Sequence, residues 1–318
     1  MYKILLVGAG QIGSRYLQGL VSMNLHLNVT VIDPLDASLD KAKKLWIEAG
    51  GDKSQHMIRW YKVLPEDLIS IDLAIISTSS KGRAALVKNI RKSIQVNYWV
   101  LEKVLTQSKQ ELDVIKAATI DAKEVWVNMT RRLIDWHHQL KLKFYKKGPL
   151  KVKKNGGLWG LGCNGIHFID LICWWTDESL ISVNINGLDQ NWFKSRRSEY
   201  FEITGELFIK FSGGTELILR SNHNVEEDNL YVELPNKSIW VINEDNGTAQ
   251  NSKENILNGR LELQSELTAA MVTKILKNGT CDLTTLKQSV GHHEIFLDAM
   301  LEHWNFSNKC NDKQVPIT

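Results

Sequence analysis

The chain has 318 residues, 43% of them hydrophobic and 24% charged, with a formal net charge of +3. That size accommodates two domains with buried cores, and so small a charge gives no footing for nucleic-acid binding or for adhesion to a membrane surface. Its four cysteines, Cys163, Cys173, Cys281 and Cys310, show neither CxxC nor metal-ligand spacing, which leads us to expect free thiols in a reducing, cytosolic compartment and no metal site.

The opening run MYKILLVGAG is apolar for about five residues, lacks a basic leader and flows into a glycine turn, so it predicts a strand rather than a signal peptide or a membrane span. A helix near 12–22 follows, then VTVID, a helix around 38–49, MIRWYKV and DLAIIST. A helix near 82–93, YWVLEKV, a helix near 108–121 and EVWVNM complete this half. Nearly continuous apolar strands alternating with helices predict a parallel sheet covered on both faces. Beyond residue 150 the pattern changes. LISVNING, YFEITGELFIKF and GTELILRSN alternate apolar with polar residues, SGGT marks a hairpin, and LYVELPNKSIWVI offers a second hairpin at PNK. These predict a mainly antiparallel, open sheet with one face buried. Helical patterns return at 264–276 and 285–304. The expected architecture is α/β, with a doubly wound Rossmann domain over 1–127 and an α/β domain over 128–318. The lysine run at 141–154 is read as a solvated helix end and a strand edge.

Within this frame GAGQIG places Gly8, Gly10 and Gly13 in the GxGxxG spacing between a strand and a helix. The first glycine permits a tight turn, the second lets backbone approach a diphosphate, and the third lets the helix pack close to the sheet. Asp33 ends the second strand, 20 residues after Gly13, where a carboxylate accepts hydrogen bonds from a ribose 2′-hydroxyl and repels a 2′-phosphate. NAD(H) is therefore expected over NADP(H). STSSKG follows the fourth strand at the point where strand order reverses, so Ser77, Thr78 and Ser79 are expected to line the dinucleotide site, and a helix cap by Ser79 or Ser80 is an equal expectation that does not exclude it. Glu102 and Lys103 end the fifth strand. A lysine there can share the proton of a reacting hydroxyl, and the pair can equally form a strand-end ion pair.

CNGIHFID, residues 163–170, holds the other candidate pair. Asn164 is expected to cap a helix beginning at Gly165, which puts His167 and Asp170 on one face at i and i+3. The residues alone support either a general acid–base histidine oriented by Asp170 or a core histidine satisfied by it. Arg131 and Arg132 suit a substrate anion or the domain junction, and Trp159, Trp174 and Trp192 suit a sugar face or the core. His137-His138 and His292-His293 lack HExxH or a third ligand at helical spacing.

In their order, GxGxxG, the acid at the second strand, EK at the fifth and G-x-H-x-x-D before an antiparallel sheet resemble the Gfo/Idh/MocA oxidoreductases. That family includes glucose–fructose oxidoreductase and inositol dehydrogenases. The resemblance spans essentially the whole chain, including VNMTRRL and the terminal VPIT. It implies that Gly8, Gly10 and Gly13 hold the pyrophosphate, with Gln11 and Ile12 as backbone donors and Asp33 on the adenosine ribose. Glu102-Lys103 match the start of the family's Glu-Lys-Pro, with Val104 in place of proline, so Lys103 falls on the catalytic lysine. His167 falls on the catalytic histidine and Asp170 on the later aspartate. Arg131, Asn164 and Trp159 are expected on the substrate side. Cys163 stands where the family pattern carries an aspartate. Two functions stay open: an NAD(H)-dependent oxidoreductase of a sugar, nucleotide sugar or cyclic polyol, or a non-catalytic NAD(H)-binding sensor or assembly protein. The free sheet face is expected to pair subunits into a homodimer or homotetramer.

Overall fold

In a computed structural model, residues 1–224, 228–252 and 256–318 are described. They form two compact units. The first comprises Met1–Thr106, Gln110–Leu133 and Glu262–Leu286; the second comprises Gln107–Lys109, Ile134–Leu261 and Lys287–Thr318. The first unit is thus discontinuous in sequence and includes residues 262–286, which a single division at 127/128 puts elsewhere.

The first unit is built on strands β1 (Tyr2–Val7), β2 (Leu27–Ile32), β3 (Met57–Tyr61), β4 (Ser70–Ile76), β5 (Gln95–Leu101) and β6 (Glu124–Val127). They lie in the order β6-β5-β4-β1-β2-β3, and all neighbours are parallel. Ile4, Leu5, Leu6, Leu73, Ile75, Val100 and Leu101 are wholly buried, as a sheet covered on both faces requires. Helices α1 (Gln11–Leu20), α2 (Asp36–Glu48), α3 (Arg83–Ser93) and α4 (Lys109–Ala118) follow β1, β2, β4 and β5. Strand order reverses between β1 and β4, so the loops after those two strands flank a switch point, where this fold binds ligands.

The second unit begins with α5 (Asp135–Phe144), β7 (Lys151–Asn155), α6 (Leu161–Thr176) and β8 (Leu180–Leu188). A short pair follows, β9 (Phe193–Lys194) and β10 (Phe201–Glu202). Next come β11 (Gly205–Phe211), β12 (Glu216–Ser221), β13 (Asn229–Glu233), β14 (Ile239–Asn243), β15 (Thr248–Asn251) and β16 (Ile256–Asn258). The large sheet runs β16-β15-β14-β13-β7-β12-β11-β8, antiparallel except where β7 meets β12. Both hairpins fall where the turn residues put them, β11–β12 around SGGT and β13–β14 around PNK.

The lysine-rich segment behaves differently from expectation. β7 lies inside the sheet, between β12 and β13, and not at an edge. Strand alternation turns Val152 and Lys154 to the buried face. The Lys154 ammonium is accommodated by an ion pair with Asp228 and by the rings of Trp159 and Phe168 at 5.6 and 5.5 Å. A buried charge with a partner and aromatic faces satisfies the same rule that makes an unpaired one prohibitive. The opposite face leaves Phe208, Ile239 and Val241 exposed.

Helix α7 (Gln264–Asn278) and strand β17 (Thr284–Thr285) return to the first unit, where β17 adds an antiparallel edge to β6. Met271, Val272, Ile275 and Leu276 join Leu17, Leu20 and Trp46 in one core cluster. Gly19 allows this approach, because a Cβ there would stand 2.4 Å from Ser265 O. The last helix, α8 (Leu286–Asn308), has all but its first residue in the second unit. No helix is long and apolar enough to cross a membrane among the described residues.

Candidate active site

The glycine loop takes its shape from close packing. Gly8 has φ +95°, a conformation that favours glycine. A Cβ on Gly13 would sit 1.8 Å from Gly8 O, so α1 approaches β1 more closely than any side chain allows. Gly10 differs, since a Cβ built there meets nothing within 4 Å. Open space beside a backbone N–H, at a helix N-terminus, suits an anion. The first i→i−4 bond of α1 runs from Ser14 N–H to Gly10 O, so the N–H groups of Gln11, Ile12 and Gly13 point out of the helix end.

Asp33 is buried at the end of β2. Its Oδ2 accepts the Ala9 N–H at 2.8 Å and its Oδ1 accepts the Leu35 N–H at 2.9 Å. The carboxylate therefore braces the glycine loop, and each oxygen keeps a second lone pair for a ribose hydroxyl. Ser77 performs a similar task across the switch point. Its hydroxyl lies 2.6 Å from Gly8 O and 3.0 Å from Val7 O and donates to this pair, tying the end of β4 to the turn after β1. Thr78 Oγ1 is buried with no hydrogen-bond partner among the described residues. An orphan hydroxyl costs free energy unless a ligand satisfies it. The open space at Gly10, the outward N–H groups of α1, the braced acid and this orphan hydroxyl together fit a dinucleotide.

The end of β5 is anchored from several sides. Glu102 is buried, and its Oε1 accepts the Tyr16 hydroxyl at 2.8 Å and the Asn128 Nδ2–H at 2.6 Å. Asn128 also donates to Gln264 Oε1 at 2.8 Å, which links β6 to α7, and its own Oδ1 has no partner among the described residues. Glu102 thus works inside a hydrogen-bonded row, a use its position in the sequence did not disclose. Lys103, next to it, is half-buried, and the Lys103–Val104 peptide is cis. Arg131 is half-buried on the short 3-10 turn Thr130–Leu133 after β6, and its neighbour Arg132 is buried.

Burial pushes the Glu102 carboxyl above the usual carboxylate range, opposed by Asn128, Tyr16, Arg83 and Lys103. The Tyr16 phenol is pushed well above its ordinary value by burial and then by Glu102. The folded state consequently keeps the Glu102 proton over a pH window in which the unfolded chain has lost it. That contribution to stability is present below the unfolded carboxylate pKa and is lost as pH rises through the folded one. Glu102→Gln keeps an acceptor at Oε1 for both donors and removes the titration. The expected result is a melting temperature that gains on the parent as pH rises from about 4.5 to 7. Parallel melting curves for both proteins over that range would show that Glu102 does not carry a raised pKa.

In the second unit α6 starts four residues earlier than expected. Gly160, with φ +80°, is its N-cap, and Asn164 lies in the first turn. The Asn164 amide donates back to Trp159 O at 2.7 Å instead of capping a helix at Gly165. The orphan donors at the helix start are taken by Glu202 of β10, which accepts the Gly162 N–H at 2.8 Å and the Cys163 N–H at 3.2 Å. His167 consequently lies in the second turn, beyond the main reach of the helix dipole. It is half-buried, whereas Asp170 is buried and stands 3.5 Å from His292 Nδ1 of α8. Trp159 donates its indole N–H to Arg220 O at 2.8 Å and meets Phe168 edge-on at 5.4 Å.

No family model matches the sequence, and no curated protein does either. Solved structures do match. Myo-inositol 2-dehydrogenase from Lactobacillus plantarum superposes with a TM-score of 0.68 at 17% identity, over 96% of this chain and 97% of that one. Scyllo-inositol dehydrogenase from Lactobacillus casei, solved with NAD(H) and scyllo-inositol, gives 0.65 at 17% identity over 95% and 96%. UDP-N-acetylglucosamine 3-dehydrogenase from Acidithiobacillus ferrooxidans gives 0.66 at 13% over 93% and 95%. Over 93–96% of its length, this chain has the fold of these solved dehydrogenases.

Proposed function

We propose that the protein is an NAD(H)-dependent oxidoreductase that moves a hydride to or from a secondary alcohol of a sugar, nucleotide sugar or cyclic polyol. The observation that carries this reading is the row of braced loops at the carboxyl ends of β1, β4 and β5, with open space at Gly10 and a buried, unsatisfied hydroxyl at Thr78. The solved neighbours that act on inositols and on UDP-N-acetylglucosamine support the substrate class.

In this reading the N–H groups of Gln11, Ile12 and Gly13 hold the diphosphate, with Gly8 and Gly10 giving it room. Asp33 takes the adenosine ribose and selects against a 2′-phosphate. Ser77 and Thr78 line the dinucleotide, and Glu102 holds the end of β5 in place. The bound nicotinamide supplies the hydride acceptor or donor. Lys103 and His167 handle the proton of the reacting hydroxyl, and Lys103 stabilises the oxygen as negative charge develops on it. Asp170 supports His167, while Arg131, Asn164 and Trp159 belong to the substrate side. The outward face of the large sheet, with Phe208, Ile239 and Val241, pairs subunits into a dimer or tetramer.

The non-catalytic NAD(H)-binding reading rests on Cys163, where the resembled pattern has a carboxylate. A single preparation separates the two. Titration with NADH and NADPH is expected to show preference for NADH, and a panel of inositols, hexoses and nucleotide sugars with NAD is expected to yield NADH absorbance. Tight NADH binding with no turnover across the panel would select the non-catalytic protein, and no binding would remove both readings. Light scattering on the same sample should return two or four copies, and a monomer would end the pairing assignment.

A further inference from the structure

Arg83 opens α3, directly after Gly82 in a left-handed conformation, and is 1% exposed. A guanidinium is always charged and is costly to bury unless its donors are satisfied. Here Nη1 donates to Glu102 O at 2.6 Å, to Leu105 O at 2.9 Å and to Val104 O, and Nη2 donates to Thr78 O. Four carbonyls from two loops converge on one side chain. The last N–H of β5 in ladder register is that of Glu102, bonded to Ile76 O. Beyond it the strand has ended, and the buried carbonyls of this segment must find donors elsewhere. Arg83 supplies them.

The consequence concerns Lys103. Its backbone lies between two carbonyls, Glu102 O and Val104 O, that are both held by the same guanidinium. The same group ties them to Thr78 on the adjacent loop, whose neighbour Ser77 is bonded in turn to the glycine turn. Lys103 is therefore tied through Arg83 to the loop after β4 and, through Ser77, to the loop after β1, while those two loops keep braces of their own at Asp33 and Ser77. We propose that Arg83 is a positioning residue for Lys103, a buried clamp that fixes where the lysine amine stands relative to a dinucleotide held by the first unit. This rests on the role given to Lys103 above. Lysine at position 83 would keep the charge, but its single ammonium carries three donors at one point and cannot span both loops as a planar five-donor fork does.

The test uses the full chain with Arg83→Lys, Arg83→Met and Lys103→Met. Amide exchange measured by mass spectrometry, without substrate, is expected to rise at residues 102–106 in both Arg83 variants while the β1 and β4 cores keep their protection. For Arg83→Lys, kcat on the best panel substrate should fall about 10²-fold, the loss expected from misplacing a catalytic group by about an ångström. KM and NADH affinity should stay within about threefold, which marks an interaction made in the transition state rather than in binding. A purely structural role would instead lower melting temperature, NADH affinity and kcat together, with exchange rising throughout the unit. Wild-type exchange at 102–106, or wild-type kcat, in Arg83→Lys beside an inactive Lys103→Met overturns the clamp alone. Turnover retained in Lys103→Met, or absent in the parent protein, overturns the role of Lys103 and the clamp with it.

Discussion

Lys103→Met is expected to lower kcat by about 10²–10⁴-fold, the range that positioned proton transfer contributes, while NADH still binds. Methionine matches the stem of lysine and removes the ammonium. Lys103 stands at the end of β5, half-buried, beside a buried carboxyl whose proton affinity its charge already opposes. In the proposed mechanism, loss of the amine would leave the reacting oxygen without the donor that steadies its negative charge, a term made only as the alkoxide forms. The loss should therefore appear in kcat, with little change in KM. His167→Ala is expected to act in the same direction if it handles the proton as proposed, and to keep NADH binding, because the imidazole is half-buried within α6 and not in the glycine loop. Steady-state kinetics with NADH fluorescence titration checks both. Wild-type turnover in either variant would remove that residue from the chemistry.

A second pair of substitutions separates folding from cofactor binding in the glycine loop. Gly10 and Gly13 are three residues apart and face opposite constraints. A methyl on Gly13 collides with backbone, the carbonyl of Gly8 at 1.8 Å, so α1 must move away from β1 or the turn must open. Overpacking of that kind costs about 1–3 kcal/mol, and a contact with rigid backbone falls at the upper end. Gly13→Ala is expected to lower the melting temperature by several degrees, given roughly 2–4 °C per kcal/mol for a unit of this size, and to abolish NADH binding. Gly10 has φ −66° and open space around the added carbon. Gly10→Ala should melt within about a degree of the parent, since a surface methyl in free space changes stability by less than about 0.5 kcal/mol. In the proposed binding mode the methyl takes the room left for the diphosphate, so NADH affinity should fall by at least about tenfold, or 1.4 kcal/mol. Calorimetry and NADH titration of both variants decide the matter. Unchanged NADH affinity in Gly10→Ala would show that no diphosphate approaches this backbone.

The amino-acid sequence by itself determined the alternation of apolar strands and amphipathic helices in the first half, the two hairpins of the second, and the glycine turn with its acid at Asp33. Each follows from rules that act within a few residues: strands buried on both faces read as continuous apolar runs, turns need glycine or proline, and a helix laid against a strand needs a glycine at the contact. The tertiary structure alone decided which partners those elements meet. The amphipathic pattern of α7 reveals an apolar face but not that α1 covers it, and the return of residues 262–286 to the first unit left no local mark. The row from Tyr16 to Glu102 and from Asn128 to Gln264 joins side chains 86 and 136 positions apart. Nothing near Arg83 in the sequence marks the two loops that close around it, and Lys154 belongs to a run expected to be solvated, yet Asp228 and two aromatic rings enclose it. A buried charge is tolerated only where distant groups satisfy it, and a one-dimensional pattern carries no record of groups that are distant along the chain.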